Sequence, residues 1–173
     1  MNRPNWAVFL CLYFMKYQQL TKEQFSELHK EFAEFLATQQ IDAKEWQKIK
    51  IENPSMTEEE LNIFSDVVWE DVLTKTEYLD HISENHINLF KCEADIIIRI
   101  YIKLKNNEKS FLKTEDFQWF LKNPLDEDFE YFKAEKKYKK DRNKELFELI
   151  EMGSQISKGE FFTAINQLIG QRL

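Results

Sequence analysis

The sequence predicts an α+β protein in which three N-terminal helices precede an antiparallel sheet of two hairpins with two further helices, in the order ααα-ββ-α-ββ-α. Three observations carry that expectation. Apolar residues recur at helical spacing, behind side chains able to cap them, up to about Lys75. Beyond it the apolar period shortens to two, the alternation of a half-buried strand. Each expected hairpin is then followed by a capped, helix-periodic run, the pattern of helices laid on a sheet.

The first helix starts at Thr21, which makes a capping box with Gln24; Phe25, Leu28, Phe32, Phe35 and Leu36 follow at helical spacing to about Gln39. Asp42 with Glu45 repeats the pattern for a short second helix that carries Trp46 and Ile49 and stops at Asn53-Pro54. A third begins at Ser55 or Thr57. Its residues Leu61, Ile63, Phe64, Val67, Val68 and Val72 cover one wide apolar arc, while Glu59, Asp66 and Glu70 share a narrow polar stripe. The clearest strand is 96–105, with Ile96, Ile98, Ile100, Ile102 and Leu104 on one face and Ile97, Arg99, Tyr101 and Lys103 on the other. The segment 86–92 precedes it across Glu93-Ala94-Asp95, so a hairpin is the economical connection. Thr114 then caps a helix containing Phe117, Phe120 and Leu121 that ends at Asn123-Pro124. A second hairpin is expected from Phe129 to about Tyr138 and from Leu146 to about Met152, joined at Asp141, Arg142 and Asn143. Ser157 and Glu160 cap the last helix, built on Phe161, Phe162, Ile165, Leu168 and Ile169, with Gly170 past its end.

Fifteen Phe and four Trp against three Gly and three Pro supply a core and disfavour disorder. No linker divides the chain, so residues 15–173 are expected to form a single α+β domain. The three glycines never form GxGxxG or GxxxxGK, which disfavours loop-type nucleotide sites, and no cofactor is expected. A net charge of −7 works against nucleic acid and anionic membrane as partners and suits a cytoplasmic protein. Two cysteines, Cys11 and Cys92, give no disulfide framework and are read as reduced. Trp6 to Phe14 is an unbroken apolar run too short to span a bilayer, with no small-residue cleavage site after it. Residues 1–14 are therefore expected to be a spurious or disordered extension before Met15, and a membrane is relevant only if they are made.

Few residues suggest chemistry. His81, His86 and Cys92 invite a metal reading, but on a strand His86 and Cys92 lie about 20 Å apart, far beyond a shared zinc. No metal site is expected. Glu59, Asp66 and Glu70 read as a solvated face; Asp66, Glu70 and Asp71 are the weak catalytic candidates, since paired carboxylates do acid/base work when their environments differ. Asp71, next to the apolar arc, is expected to be partly buried, with Arg99 as its partner. The run Lys133 to Glu145 has seven basic and three acidic residues in a chain whose remainder is acidic. Lys136, Lys137, Lys139, Lys140 and Arg142 are its candidates for contact with RNA or another acidic ligand, against the simpler reading of lysines guarding a sheet edge. No Ser-His-Asp order, GxSxG turn or catalytic cysteine signature is visible. The leading expectation is a non-catalytic interaction or regulatory module whose partner is another protein; the alternatives are an enzyme with a dispersed acidic site on the third helix and a binder of RNA or an acidic ligand through 133–145.

The stretch MKYQQLTKEQFSELHKEFAEFLATQQID, then EWQKIK, ELNIFSDVVWEDVL, YLDHISENHINLFKC and ELFELIEMGSQISKGEFF resemble a small-protein family of unknown function from Bacteroidota. The resemblance runs from Met15 to about Ile169. It implies Met15 as the initiator and a cytoplasmic single domain, and it brings no activity, ligand or site residue with it.

Overall fold

A computed structural model describes residues 15–170, so the expectations for residues 1–14 lie outside the described residues. Among the described residues the fold is α+β, with seven helices and one five-stranded antiparallel sheet. They divide into two compact units, one ending at Val72 and one starting at Leu73.

The first unit is helical: α1 (Lys22–Glu27), α2 (His29–Thr38), α3 (Ala43–Glu52) and α4 (Pro54–Lys75), whose last turn belongs to the second unit. The capping box of Thr21 and Gln24 forms as the sequence requires, and Asp42 caps α3 through the amides of Lys44 and Glu45. The expected first helix is broken at Leu28, where ψ reaches +23°. Phe25, Phe32, Phe35, Trp46 and Phe64 then meet ring against ring, with centroids 5.0–6.2 Å apart. The polar stripe of α4 is not solvated throughout. Asp66 is buried, because it accepts the backbone amides of Lys16 (2.6 Å) and Tyr17 (2.9 Å), while Ser65 Oγ accepts that of Leu20. Val67, expected inside, is exposed instead.

The second unit holds β1 (Tyr78–Ile82), β2 (His86–Cys92), β3 (Ile96–Leu104), α5 (Thr114–Lys122), β4 (Phe129–Lys137), α6 (Arg142–Glu151), β5 (Gln155–Ser157) and α7 (Glu160–Gly170). Spatial order is β4-β3-β2-β1-β5, every pair antiparallel. The β2–β3 hairpin and β4 stand where the sequence puts them. The second hairpin does not exist: 146–151 lies within α6, with Met152 as its C-cap, Asp141 starts that helix by accepting the amide of Lys144, and β4 pairs with β3 instead. Leu146, Phe147, Leu149 and Ile150 fit helical spacing as well as strand alternation, and a short apolar run does not separate the two. Strands β1 and β5 are additions to the expected order. Thr114 opens α5 without capping it, and Gly170 is the last residue of α7 rather than one beyond it.

The register sets the two faces. Ile87, Leu89, Ile100, Ile102, Leu104 and Phe129 share one, sealed by Phe111, Phe120 of α5 and Phe162 and Ile165 of α7. The opposite face carries His81, His86, Asn88, Phe90, Ile97, Arg99, Tyr101, Phe132, Ala134 and Lys136. Helix α6 covers only part of it.

Candidate functional site

Where α6 stops covering the second face, a cavity of about 530 Å³ opens, inside the size range of ligand pockets. Its floor is sheet: Phe90, Ile97, Asn88 and Arg99, with His81 and His86 at one end. Its other wall is α6, through Glu145, Glu148 and Leu149, with Met152 at the helix's C-cap. Arg99 and Ala134 also border a second recess of about 260 Å³, closed by Tyr101 and Phe132. The two recesses make one groove across the strands.

Four rings step along that groove from β4 to β1. Phe132 and Tyr101 are 6.0 Å apart between centroids, Tyr101 and His86 5.5 Å, and His86 and His81 5.8 Å. The Arg99 guanidinium lies over Tyr101, 5.0 Å from its centroid. Phe132, 53% exposed, leaves its ring open to the groove.

Hydrogen bonding fixes the polar part. Asn88 is buried, and its Oδ1 accepts from Arg99 Nε (2.8 Å) and Nη2. The amide Nδ2 therefore faces His81 Nδ1, at 3.3 Å, and must donate to it. On the other imidazole, Ser83 Oγ spends its proton on the carbonyl of His86 and so accepts from His86 Nδ1, as does Asn85 Oδ1. That tautomer leaves His86 Nε2 as an acceptor. Burial, then electrostatic interaction with His81 and with the Arg99 guanidinium, pushes the His86 imidazole below its ordinary range and favours its neutral form at pH 7.

The acids of the wall are engaged. Glu145 Oε2 takes Lys136 Nζ at 2.6 Å, and its Oε1 takes the amides of Lys139 and Lys140. Burial acts to raise this carboxyl, but Lys136 and those two amides outweigh it and hold it low. Glu148 pairs with Lys140 at 2.6 Å. Glu135 borders the rim at the opposite parity from Ala134 and Lys136 on β4, turned toward the other face. Arg99 has no carboxylate partner among the described residues, so it is the unneutralised charge of the floor.

The residues singled out from the sequence fall elsewhere or in other roles. Asp66 caps backbone amides, and Glu70 holds Lys16 Nζ (2.7 Å) and the Tyr17 hydroxyl (2.6 Å). Asp71 is exposed, not partly buried, and the expected partner Arg99 is bound to Asn88. Of the basic run, Lys136 and Lys140 are paired with acids; Lys137 and Lys139 are exposed; Arg142 is a structural clamp. Its guanidinium donates to the carbonyls of Leu73 (2.8 Å), Thr76 (2.6 Å), Cys92 (2.9 Å) and Glu93 (3.0 Å). Cys92 is buried, its thiol pushed up to about 12 by that burial, which makes it a poor nucleophile. His81 and His86, separated in the sequence reading, meet because β1 exists. Among the described residues, no three His, Cys, Asp or Glu side chains converge as a metal site. Arg99 and Tyr101 were legible as the outward parity of the strand 96–105, whereas Asn88, Phe132 and Met152 had no signal until α6 was seen to be a helix.

No helix among the described residues is long and apolar enough to cross a membrane. No curated protein and no solved structure matches the chain. One family model does match, over residues 15–170, and by that extent the chain belongs to a family of unknown function, DUF6495.

Proposed function

We propose that this protein is a non-catalytic recognition module that holds a segment of another protein in the groove between α6 and the open part of the sheet. The observation that carries the reading is one cavity combining apolar walls, Phe90, Ile97, Leu149 and Met152, with a guanidinium that has no carboxylate partner among the described residues. Apolar lining with few fixed polar groups is the composition of a binding site. Exposed aromatic and methionine side chains at the rim, Phe132 and Met152, are the residue types enriched at interfaces. The competing readings gain less support: Asp66 is committed to backbone amides, and Lys136, Lys140 and Arg142 to internal partners. A cytoplasmic setting and a Bacteroidota source belong to the same proposal, resting on the acidic sequence and on its resemblance.

The test is a photo-crosslinking side chain at Met152, 64% exposed at the groove mouth, in the full chain within its native cell. A discrete adduct with one protein is expected, lost when Ala134→Trp fills the groove and absent from the same label at Ile51 of the first unit. The purified partner should then bind wild type and not the filled variant. Equal binding by both would refute the groove as the docking site.

A further inference from the structure

We infer that Arg99 is the receptor for a carboxylate on the bound segment, and that an aromatic ring next to that carboxylate lies in the adjoining recess against Phe132 and Tyr101. This deepens the recognition reading and rests on it.

The guanidinium is built to receive an anion. Nε and Nη2 both donate to Asn88 Oδ1, and Asn88 is itself buried and held from its other end by His81. Tyr101 lies beneath the guanidinium plane. The side chain is thus oriented before any ligand arrives, which removes most of the ordering cost that a free surface arginine would carry. Its Nη1 edge has no partner among the described residues, and a planar carboxylate matches a guanidinium edge.

Charge selects the class of anion. Lys136 and Lys140 are neutralised by Glu145 and Glu148, so Arg99 is the cation of the groove left without an acid partner among the described residues, and Glu135 at the rim adds a negative charge. A carboxylate balances Arg99. A phosphate, with roughly −1.5 to −2 charges at neutral pH, would exceed the single charge of Arg99 next to the Glu135 rim. A nucleic-acid strand is disfavoured on the same ground, although its bases suit the rings, because strand binding draws on several unpaired cations. His86 adds a neutral acceptor, suited to a backbone N–H of the ligand rather than to its anionic group.

The ring preference follows from the second recess. Arg99 and Ala134 border both cavities, so a carboxylate on Arg99 places its neighbour at the smaller recess, whose far side is the exposed ring of Phe132. Offset or edge-to-face packing there is the favoured aromatic geometry.

The experiment uses the full chain and NMR of isotope-labelled protein, with N-acetyl-phenylalanine and its neutral amide as probes. N-acetyl-aspartyl-phenylalanine amide separates a side-chain carboxylate from a chain-terminal one, and a tetrauridylate represents nucleic acid. We expect the free acid or the aspartyl probe to shift the Arg99 Nε, Ala134 and Phe132 signals and to bind about ten-fold more tightly than the neutral amide, the difference one charge-assisted bond supplies. Arg99→Gln should erase the preference; Phe132→Ala, which leaves the guanidinium in place, should weaken acid and amide alike by several-fold. Equal binding of acid and amide, a preference that survives Arg99→Gln, no shift at millimolar probe, or tighter binding of tetrauridylate each overturns the inference. If the Met152 adduct forms while acid and amide bind alike, the carboxylate anchor fails and the recognition module stands. Absence of both results removes the two together.

Discussion

Gly159 turns the chain from the three-residue edge strand β5 into α7 with a backbone φ of +77°, a region that L side chains rarely adopt. Its carbonyl accepts the amide of Thr163, so it also acts as the N-terminal cap of the helix. A Cβ built there would stand 2.5 Å from the Tyr78 ring, which is itself packed on Phe162 at 5.7 Å. Backbone strain and overpacking therefore act together at one position. Gly159→Ala should cost about 2–5 kcal/mol, from roughly 1–2 for the left-handed conformation and 1–3 for forcing the ring aside. In urea titrations the midpoint should fall with the slope unchanged. Gly170→Ala is the control: open space surrounds that position, and an alanine within a helix is expected to hold or raise the midpoint. A similar contrast runs through the candidate site, where Arg99 is held by Asn88 while Lys137 and Lys139 on the neighbouring strand and turn are exposed.

At the scale of elements, Arg142 shows why the basic run misleads as a binding motif. As the first residue of α6 it reaches two carbonyls at the end of α4, Leu73 and Thr76, and two at the β2–β3 turn, Cys92 and Glu93. The last carbonyls of a helix have no partner within it and carry the negative end of its dipole, so a cation there is doubly favoured. Arg142→Lys keeps the charge and loses the fork. A compact ammonium does not span carbonyls on two separate elements, and although Leu73 keeps the amide of Thr76 and Glu93 the Tyr138 hydroxyl, each charge-assisted bond lost at a buried carbonyl costs about 1–3 kcal/mol. A loss of about 2–4 kcal/mol in urea unfolding is expected, and a variant as stable as wild type would show the clamp to be dispensable. Sequence reasoning missed this because position 142 was read as a hairpin turn. The same misreading hid the cavity: an α6 drawn as a strand extends the sheet instead of covering its second face. Where alternation was long, as over nine residues of β3, element and face were both legible. Where it was short, as in the five residues of β1 and three of β5, the period had too few repeats to declare itself, and only pairing with neighbours selects the strand. The caps at Thr21 and Asp42 were readable because their chemistry is local, whereas burial of Asp66 depends on residues about fifty positions away.

For the molecule as a whole, groups of opposite sign shape stability against pH. Burial raises the Asp80 carboxyl, opposed by a hydrogen bond with Ser157, and its Oδ1 is buried with no hydrogen-bond partner among the described residues. Its folded form thus binds a proton that the unfolded chain releases above the ordinary value of 3.8, so stability is full below that pH and declines as pH rises through the higher folded value. His86 runs the other way. Its folded pKa lies below 6.5, so between that folded value and 6.5 the unfolded chain binds the extra proton; stability is full above 6.5 and declines as pH falls toward the folded value. The two contributions oppose each other in the mildly acidic range, where falling pH removes stability through His86 and restores it through Asp80. His86→Gln removes the imidazole, so the unfolding free energy at pH 7.5 should fall relative to that at pH 5. Asp80→Asn removes the buried carboxyl and should raise stability at pH 7.5, with the advantage fading toward pH 3.5. Urea titrations of wild type and both variants across pH 3.5–8 check the signs separately. Parallel curves for His86→Gln and wild type would place that imidazole in the same environment folded and unfolded, contrary to its position at the end of the groove between His81, Arg99 and Tyr101.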